Sequence, residues 1–133
     1  MLDDVRRMIR ERERRYRYFD AGLLSDPAWD ILLELFLAEL EGRSVSVTSL
    51  CCAMNAPETT ALRWIRTMVE DGMLVRARDP SDRRRVFVRL GPDAHEAMKG
   101  YVEDQKAYSA RQKKEAADER SAFCPGPEED VPA

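Results

Sequence analysis

A chain of 133 residues, 44% hydrophobic and 35% charged, is long enough for one ordinary core, and its charge content suits a helical protein with wide solvated faces. Three cysteines and one histidine offer neither a disulfide framework nor a metal-ligand cluster, and the net charge is −3. No phosphate-binding glycine motif, nucleophile elbow or HExxH occurs in the sequence, so catalysis is not expected and no cofactor or metal is implied.

The start, MLDDVRRMIRERERR, lacks the apolar stretch of a secretory signal. A helix is expected from Leu2 to about Phe19, with Leu2, Val5, Met8, Ile9, Tyr16 and Phe19 along one stripe and the charges elsewhere. Residues 1–23 read as a dimerisation arm whose stripe pairs with a second copy; contact with a DNA backbone or another partner is the alternative. After the breaker run DAGLLSDP, Asp26 suits an N-cap and Pro27 the first helical position. The helix then runs to Gly42, a good C-terminal stop. Trp29, Leu32, Leu33, Leu35, Phe36, Leu37 and Leu40 cover more than half its circumference, which places it at the centre of the core. Its apolar cluster, Ile31 to Leu40, is broken by Glu34 and Glu39 and is too short for a bilayer. A cytoplasmic protein with no membrane partner is expected.

Val45 to Val47 suits a minor strand, and Thr48 or Ser49 can cap a brief helix through Met54. Asn55, Ala56 and Pro57 form a break, giving a helix-turn-helix whose second helix spans 57–71 with Pro57 at its first position. Leu62, Ile65 and Val69, with Met68 alongside, form its expected buried stripe, and Asp71-Gly72 ends it. Met73–Arg78 and Arg85–Leu90 alternate as strands around DPSDRR, so a hairpin is expected with its cationic tip at 79–85. Gly91-Pro92-Asp93 restarts a helix to about Arg120, with Ala94, Met98, Tyr101, Gln105, Tyr108 and Gln112 as a heptad-like seam. Gly100 weakens that helix by about 1 kcal/mol relative to Ala. The end, FCPGPEEDVPA, combines Pro, Gly and acids, so residues 121–133 read as a disordered acidic tail.

Mapped along the chain, the charge is uneven. Residues 1–19 hold seven arginines against four acids, and residues 57–90 hold eight against five, a local +3 in each case. Residues 20–56 and 115–133 each carry −5. Local fields govern approach to a polyanion, so an acidic chain can still present a basic reading face. A helix of major-groove size followed by a loop of consecutive arginines is the layout of a winged helix-turn-helix. Arg83, Arg84 and Arg85 repel one another unless a phosphate or minor groove relieves them; the plainer alternative is a solvated loop with Asp79 and Asp82 as partners. Cys51 and Cys52 point about 100° apart on a helix and read as small core residues. Cys124 is the more accessible thiol, His95 reads as surface or packing, and Trp64 as packing more than DNA contact.

The segment SLCCAMNAPETTALRWIRTMVEDGMLVRARDPSDRRRVFVRLGPDA resembles the DNA-binding lobe of MarR-type transcriptional regulators over residues 49 to about 102. The order of recognition helix, DPSDRR tip, VFVRL return strand and GPDA helix start carries the resemblance. It implies a mainly α (α+β) fold, a winged helix-turn-helix at 24–91 flanked by dimerisation helices at 1–23 and 92–120. It also implies a homodimer that sets recognition helices in successive major grooves of a pseudo-palindrome, as a transcriptional regulator. By position, Thr59, Thr60 and Arg63 correspond to groove-facing residues, Arg83 and Arg84 to wing-tip contacts, and Asp82 to a brace for the tip arginine. Arg can read guanine and a Thr methyl can meet thymine; with Arg66, Thr67 and Arg85 these make the full candidate set, against an ordinary helix surface as the alternative. The sequence departs from the family pattern in three ways: a single basic helix precedes Trp29, a cysteine pair sits in the first helix of the helix-turn-helix, and an acidic tail is added. A small-molecule effector or protein partner is left open, as is a winged-helix adaptor that binds protein instead of DNA.

Overall fold

The computed structural model describes residues 1–122, so the tail expected at 121–133, with Cys124, lies outside the described residues from position 123 onward. The elements run α1 (Leu2–Arg15), α2 (Ala21–Leu24), α3 (Pro27–Glu41), β1 (Val45–Ser46), α4 (Val47–Ala53), α5 (Glu58–Glu70), β2 (Leu74–Arg78), β3 (Val86–Leu90) and α6 (Pro92–Ala122). Mostly helix with one small antiparallel sheet, ordered β1-β3-β2, this is the α+β winged-helix architecture expected from the sequence.

α3 is the central element. The Asp26 carboxylate accepts from the Trp29 N–H, Pro27 stands at the start, and Gly42 ends the helix at φ 70°. There the Arg43 N–H reaches back to the Ala38 carbonyl at 2.8 Å, the bond that lets a left-handed residue close a helix. Ile31, Leu33, Leu35, Phe36 and Ala38 are buried, and removing each large side chain from water is worth roughly 1.5–3 kcal/mol. α1, α4, α5, β3 and α6 all pack against α3.

α1 departs from expectation in length and in what covers it. Its helical bonds give way at Tyr16, Arg17 and Tyr18, whose N–H groups reach only three residues back, and the chain turns. The Val5–Met8–Ile9 stripe, expected to meet a second copy, packs onto its own core instead. Arg12 Nε bonds Asp30 Oδ1 at 2.5 Å, with both side chains largely buried. Burial works against the Arg12 charge, and the Asp30 bond and field more than offset it. Phe19, expected on the stripe, is 61% exposed. The breaker run that follows holds the single turn α2, capped by Asp20.

Around the helix-turn-helix the caps shift by one or two positions. Ser46, not Thr48 or Ser49, caps α4 by accepting from the Ser49 N–H at 3.1 Å, so Val47 is helical and β1 is shorter than expected. Pro57 stands at the N-cap of α5 instead of its first turn. The buried stripe of α5 is Ala61, Ile65 and Met68; Leu62, expected inside, is 37% exposed and Val69 half-buried. Gly72 at φ 78° closes the helix, again with a five-residue reach, Met73 N–H to the Met68 carbonyl.

β2 and β3 pair from Leu74↔Leu90 to Arg78↔Val86, and β1 adds to β3 at Val45↔Val88. At the joint into α6, the Gly91 N–H donates to the Met73 carbonyl at 2.7 Å. A Cβ on Gly91 would lie 2.6 Å from the Gly72 carbonyl oxygen, so only glycine fits that approach. Along α6 the buried line is Ala94, Met98 and Val102. Tyr101 is 41% exposed and meets Trp29 edge-on at 4.9 Å; of the expected seam beyond position 102, Gln105 is half-buried and donates to the Tyr101 hydroxyl, whereas Tyr108 and Gln112 lie open. His95 packs edge-on against Phe36 and its Nδ1 bonds Glu39 Oε2, a packing role. No helix among the described residues is long and apolar enough to cross a membrane.

Candidate nucleic-acid interface

The interface is built on α5 and the β2–β3 hairpin. With Ala61, Ile65 and Met68 turned inward, helical spacing of about 100° per residue puts Thr59, Arg63 and Arg66 on the opposite side. Thr59, Arg63, Arg66 and Thr67 are exposed, whereas Thr60 is half-buried at the flank. The Thr67 hydroxyl donates to the Arg63 carbonyl at 3.0 Å, which leaves its methyl as the outward feature. No side chain caps the start of α5, so its first N–H groups retain capacity for an outside acceptor. Trp64 is half-buried against the core.

The hairpin tip is ordered by its acids, which act as local partners within the loop. The Asp79 carboxylate accepts from both the N–H and the hydroxyl of Ser81, at 2.9 and 2.7 Å. The Ser81 bonds, followed by the field of Arg85, hold its carboxyl below the ordinary range. Asp82 accepts from the Arg84 backbone N–H at 3.0 Å instead of bracing a guanidinium. The Asp79 N–H and the Arg85 carbonyl close the loop at 3.0 Å. Both acids are therefore engaged with backbone, and the guanidiniums of Arg83 and Arg84 carry no ion pair among the described residues. Arg85 leans over the Phe87 ring at 5.9 Å.

Between α5, the hairpin and the start of α4 lies a concavity of about 680 Å³. Leu62 and Arg66 of α5, Arg76 of β2, Asp82, Arg84 and Arg85 of the tip, and Ser46, Thr48 and Ser49 line it. Its lining residues include four arginines and a single acid, Asp82, with the Arg85 guanidinium itself turned over Phe87. The structure thus brings Arg66, Arg84 and Arg85 together, while Thr59, Thr60, Arg63, Thr67 and Arg83 lie outside the concavity. Arg76 and the α4 hydroxyls were missed from sequence. Arg76 shares its sheet face with Val88, its register partner, and alternation along β2 is the signal that could have found it.

The cysteine pair divides. Cys51 is buried, and burial pushes its thiol up from the usual range. Cys52, expected in the core, is exposed. Among the described residues no group of His, Cys, Asp or Glu is placed to hold a metal ion.

A family profile described as "winged helix DNA-binding domain" matches residues 25–94. The chain is similar in structure to the transcriptional regulator Tm0710 of Thermotoga maritima, at 21% identity over 91% of this chain and 81% of that one, TM-score 0.59. It is similar to MepR of S. aureus in a MepR–DNA complex, at 14% identity over 87% of this chain and 95% of that one, TM-score 0.54. AF1382 of Archaeoglobus fulgidus matches at 18% identity over 71% and 97%, TM-score 0.51. At these identities the likeness concerns the fold. Comparison with curated proteins gives no match.

Proposed function

Since this chain belongs to the winged helix DNA-binding domain family, we propose that it is a sequence-specific transcriptional regulator of the MarR type. It binds as a homodimer to a pseudo-palindromic site, with 57–71 in the major groove and the 79–85 wing in the minor groove. The single observation that carries this reading is the concavity where Arg66, Arg76, Arg84 and Arg85 converge beside the exposed face of α5. Arginines gathered near a single acid that is already bonded to the Arg84 N–H favour an anionic partner, and phosphate oxygens satisfy guanidiniums with short charge-assisted bonds. Base reading falls to Thr59, Thr60 and Arg63, with Arg66, Thr67 and the wing residues Arg83, Arg84 and Arg85 fixing the register. Support for the DNA partner also comes from the fold shared with MepR, which was crystallised on DNA.

The test is selection of bound fragments from mixed genomic DNA, followed by titration of the selected duplex at several salt concentrations. Enrichment of a pseudo-palindrome, with affinity falling steeply as salt rises, is the expected result. Weak, salt-insensitive binding without enrichment would overturn the reading and leave a protein-binding adaptor.

A further inference from the structure

The outer face of α1 carries a row of arginines that the reading face does not use. Arg7, Arg10 and Arg14 are spaced three and four residues apart, which stacks them along one side of α1, and Arg17 follows in the turn just past the helix end. With Glu13 they line a groove of about 510 Å³. The opposite side of α1 is committed to the core through Val5 and to α3 through Arg12. Arg7 is paired with Asp4; Arg10, Arg14 and Arg17 are exposed and carry no ion pair among the described residues. Like charges at these spacings raise the free energy of the helix, and a polyanion laid along the row relieves it.

Location says which polyanion. Glu13 lines this groove and also a small cavity lined by Ile9 of α1, by Tyr16 just past its end, and by Ala53 and Asn55 beside the helix-turn-helix turn. The row therefore borders the turn that leads into α5. From Arg7 to Arg14 the helix spans about 10 Å, the axial length of about three phosphates on one strand, and Arg17 lines the same groove. The groove is lined only by charged side chains, with no apolar anchor of the kind that dominates protein–protein contacts.

We propose that this face of α1 is a second DNA-contacting surface, a guanidinium track that grips the phosphate backbone of duplex flanking the site read by α5 and the wing. The proposal rests on the DNA-binding reading above, and the test separates the two. The triple variant Arg10→Gln, Arg14→Gln, Arg17→Gln is compared with the natural chain on the selected pseudo-palindromic site, cut to a duplex of about 20 base pairs that spans only two half-sites one turn apart, and on the same site extended by flanks to about 45 base pairs. The expected result is equal binding to the short duplex and a loss of about tenfold or more on the long one, with the salt slope there shallower by about one for each arginine removed. Light scattering and the circular dichroism spectrum should be unchanged. Equal affinities on both duplexes overturn the track, as does an equal loss on both or a change of oligomeric state. Undiminished DNA binding with lost retention on polyglutamate overturns it in favour of an acidic protein partner. Failure of the natural chain on either duplex instead overturns the underlying reading.

Discussion

Arg63 sits opposite the buried Ala61–Ile65–Met68 stripe, the position from which a side chain enters a groove most directly. Arg63→Ala should relax sequence preference at one or two positions per half-site, at about 1–3 kcal/mol for the preferred base. A binding-site selection profile identical to that of the natural chain would remove Arg63 from base reading. Arg84, whose backbone is held by Asp82 and whose guanidinium is free, belongs to the grip instead. Arg84→Ala should weaken all duplexes alike and lower the salt slope by about one, read by titration at several salt concentrations. Glu34 is a different case, a carboxylate half-buried on α3. Burial, then the field of Glu13, raises its pKa above the ordinary value. A raised folded pKa means the folded state holds the proton more tightly, so stability falls as pH climbs from the unfolded value through the folded one. Glu34→Gln should therefore raise the melting midpoint at pH 7 by about 1–3 °C and show no gain below pH 4 or so. A gain of equal size at both pH values would mean that titration of Glu34 is not its source.

Among the elements, α4 is the shortest helix of the reading lobe and leans most on its cap. Ser46→Ala removes the acceptor for the Ser49 N–H and should cost about 1 kcal/mol in denaturant unfolding. Thr48→Ala, the cap expected from sequence, should cost less; the reverse order would restore the original assignment. The elements legible in sequence were those marked by residues with one backbone solution: Asp26-Pro27 at the start of α3, Gly42 at its end, Gly72 after α5, and the DPSDRR tip. The misplacements have physical causes. β1 and α4 are contiguous at Ser46 and Val47, and several hydroxyl residues in VSVTS compete for one cap. In α5, hydrophobicity favours Leu62 for the interior, but Ala61 is the residue fully buried on its packed face. Small side chains win where helices approach closely. Arg76 was hidden because a strand residue shows its neighbours only through register, and the α1 stripe because amphipathicity does not say which apolar face it will meet.

At the scale of the molecule, α1 spends its Val5–Met8–Ile9 side on its own chain, so the proposed homodimer would draw on other apolar residues. Tyr18, Phe19 and Leu23 are 82%, 61% and 79% exposed, a run of large apolar residues that water disfavours. Tyr108 lies open farther along α6. Phe19→Asp with Leu23→Asp should give monomers in light scattering with an unchanged circular dichroism spectrum; a persistent dimer would move the contact to α6 alone. Deleting α1, by contrast, should unfold the lobe, since Val5 and the Arg12–Asp30 pair belong to the core. The Gly91 joint has a mechanical consequence. Its bond to Met73 and its contact with Gly72 clamp the end of α5, the root of the wing and the start of α6 into one stiff corner. From that corner α6 extends 31 residues, about 46 Å. Such a shaft is a lever: a tilt of about 5° displaces its far end by about 4 Å, roughly the rise of one base pair. In the proposed homodimer, whatever holds that far end would therefore set the spacing of the two recognition helices to within a single base-pair step.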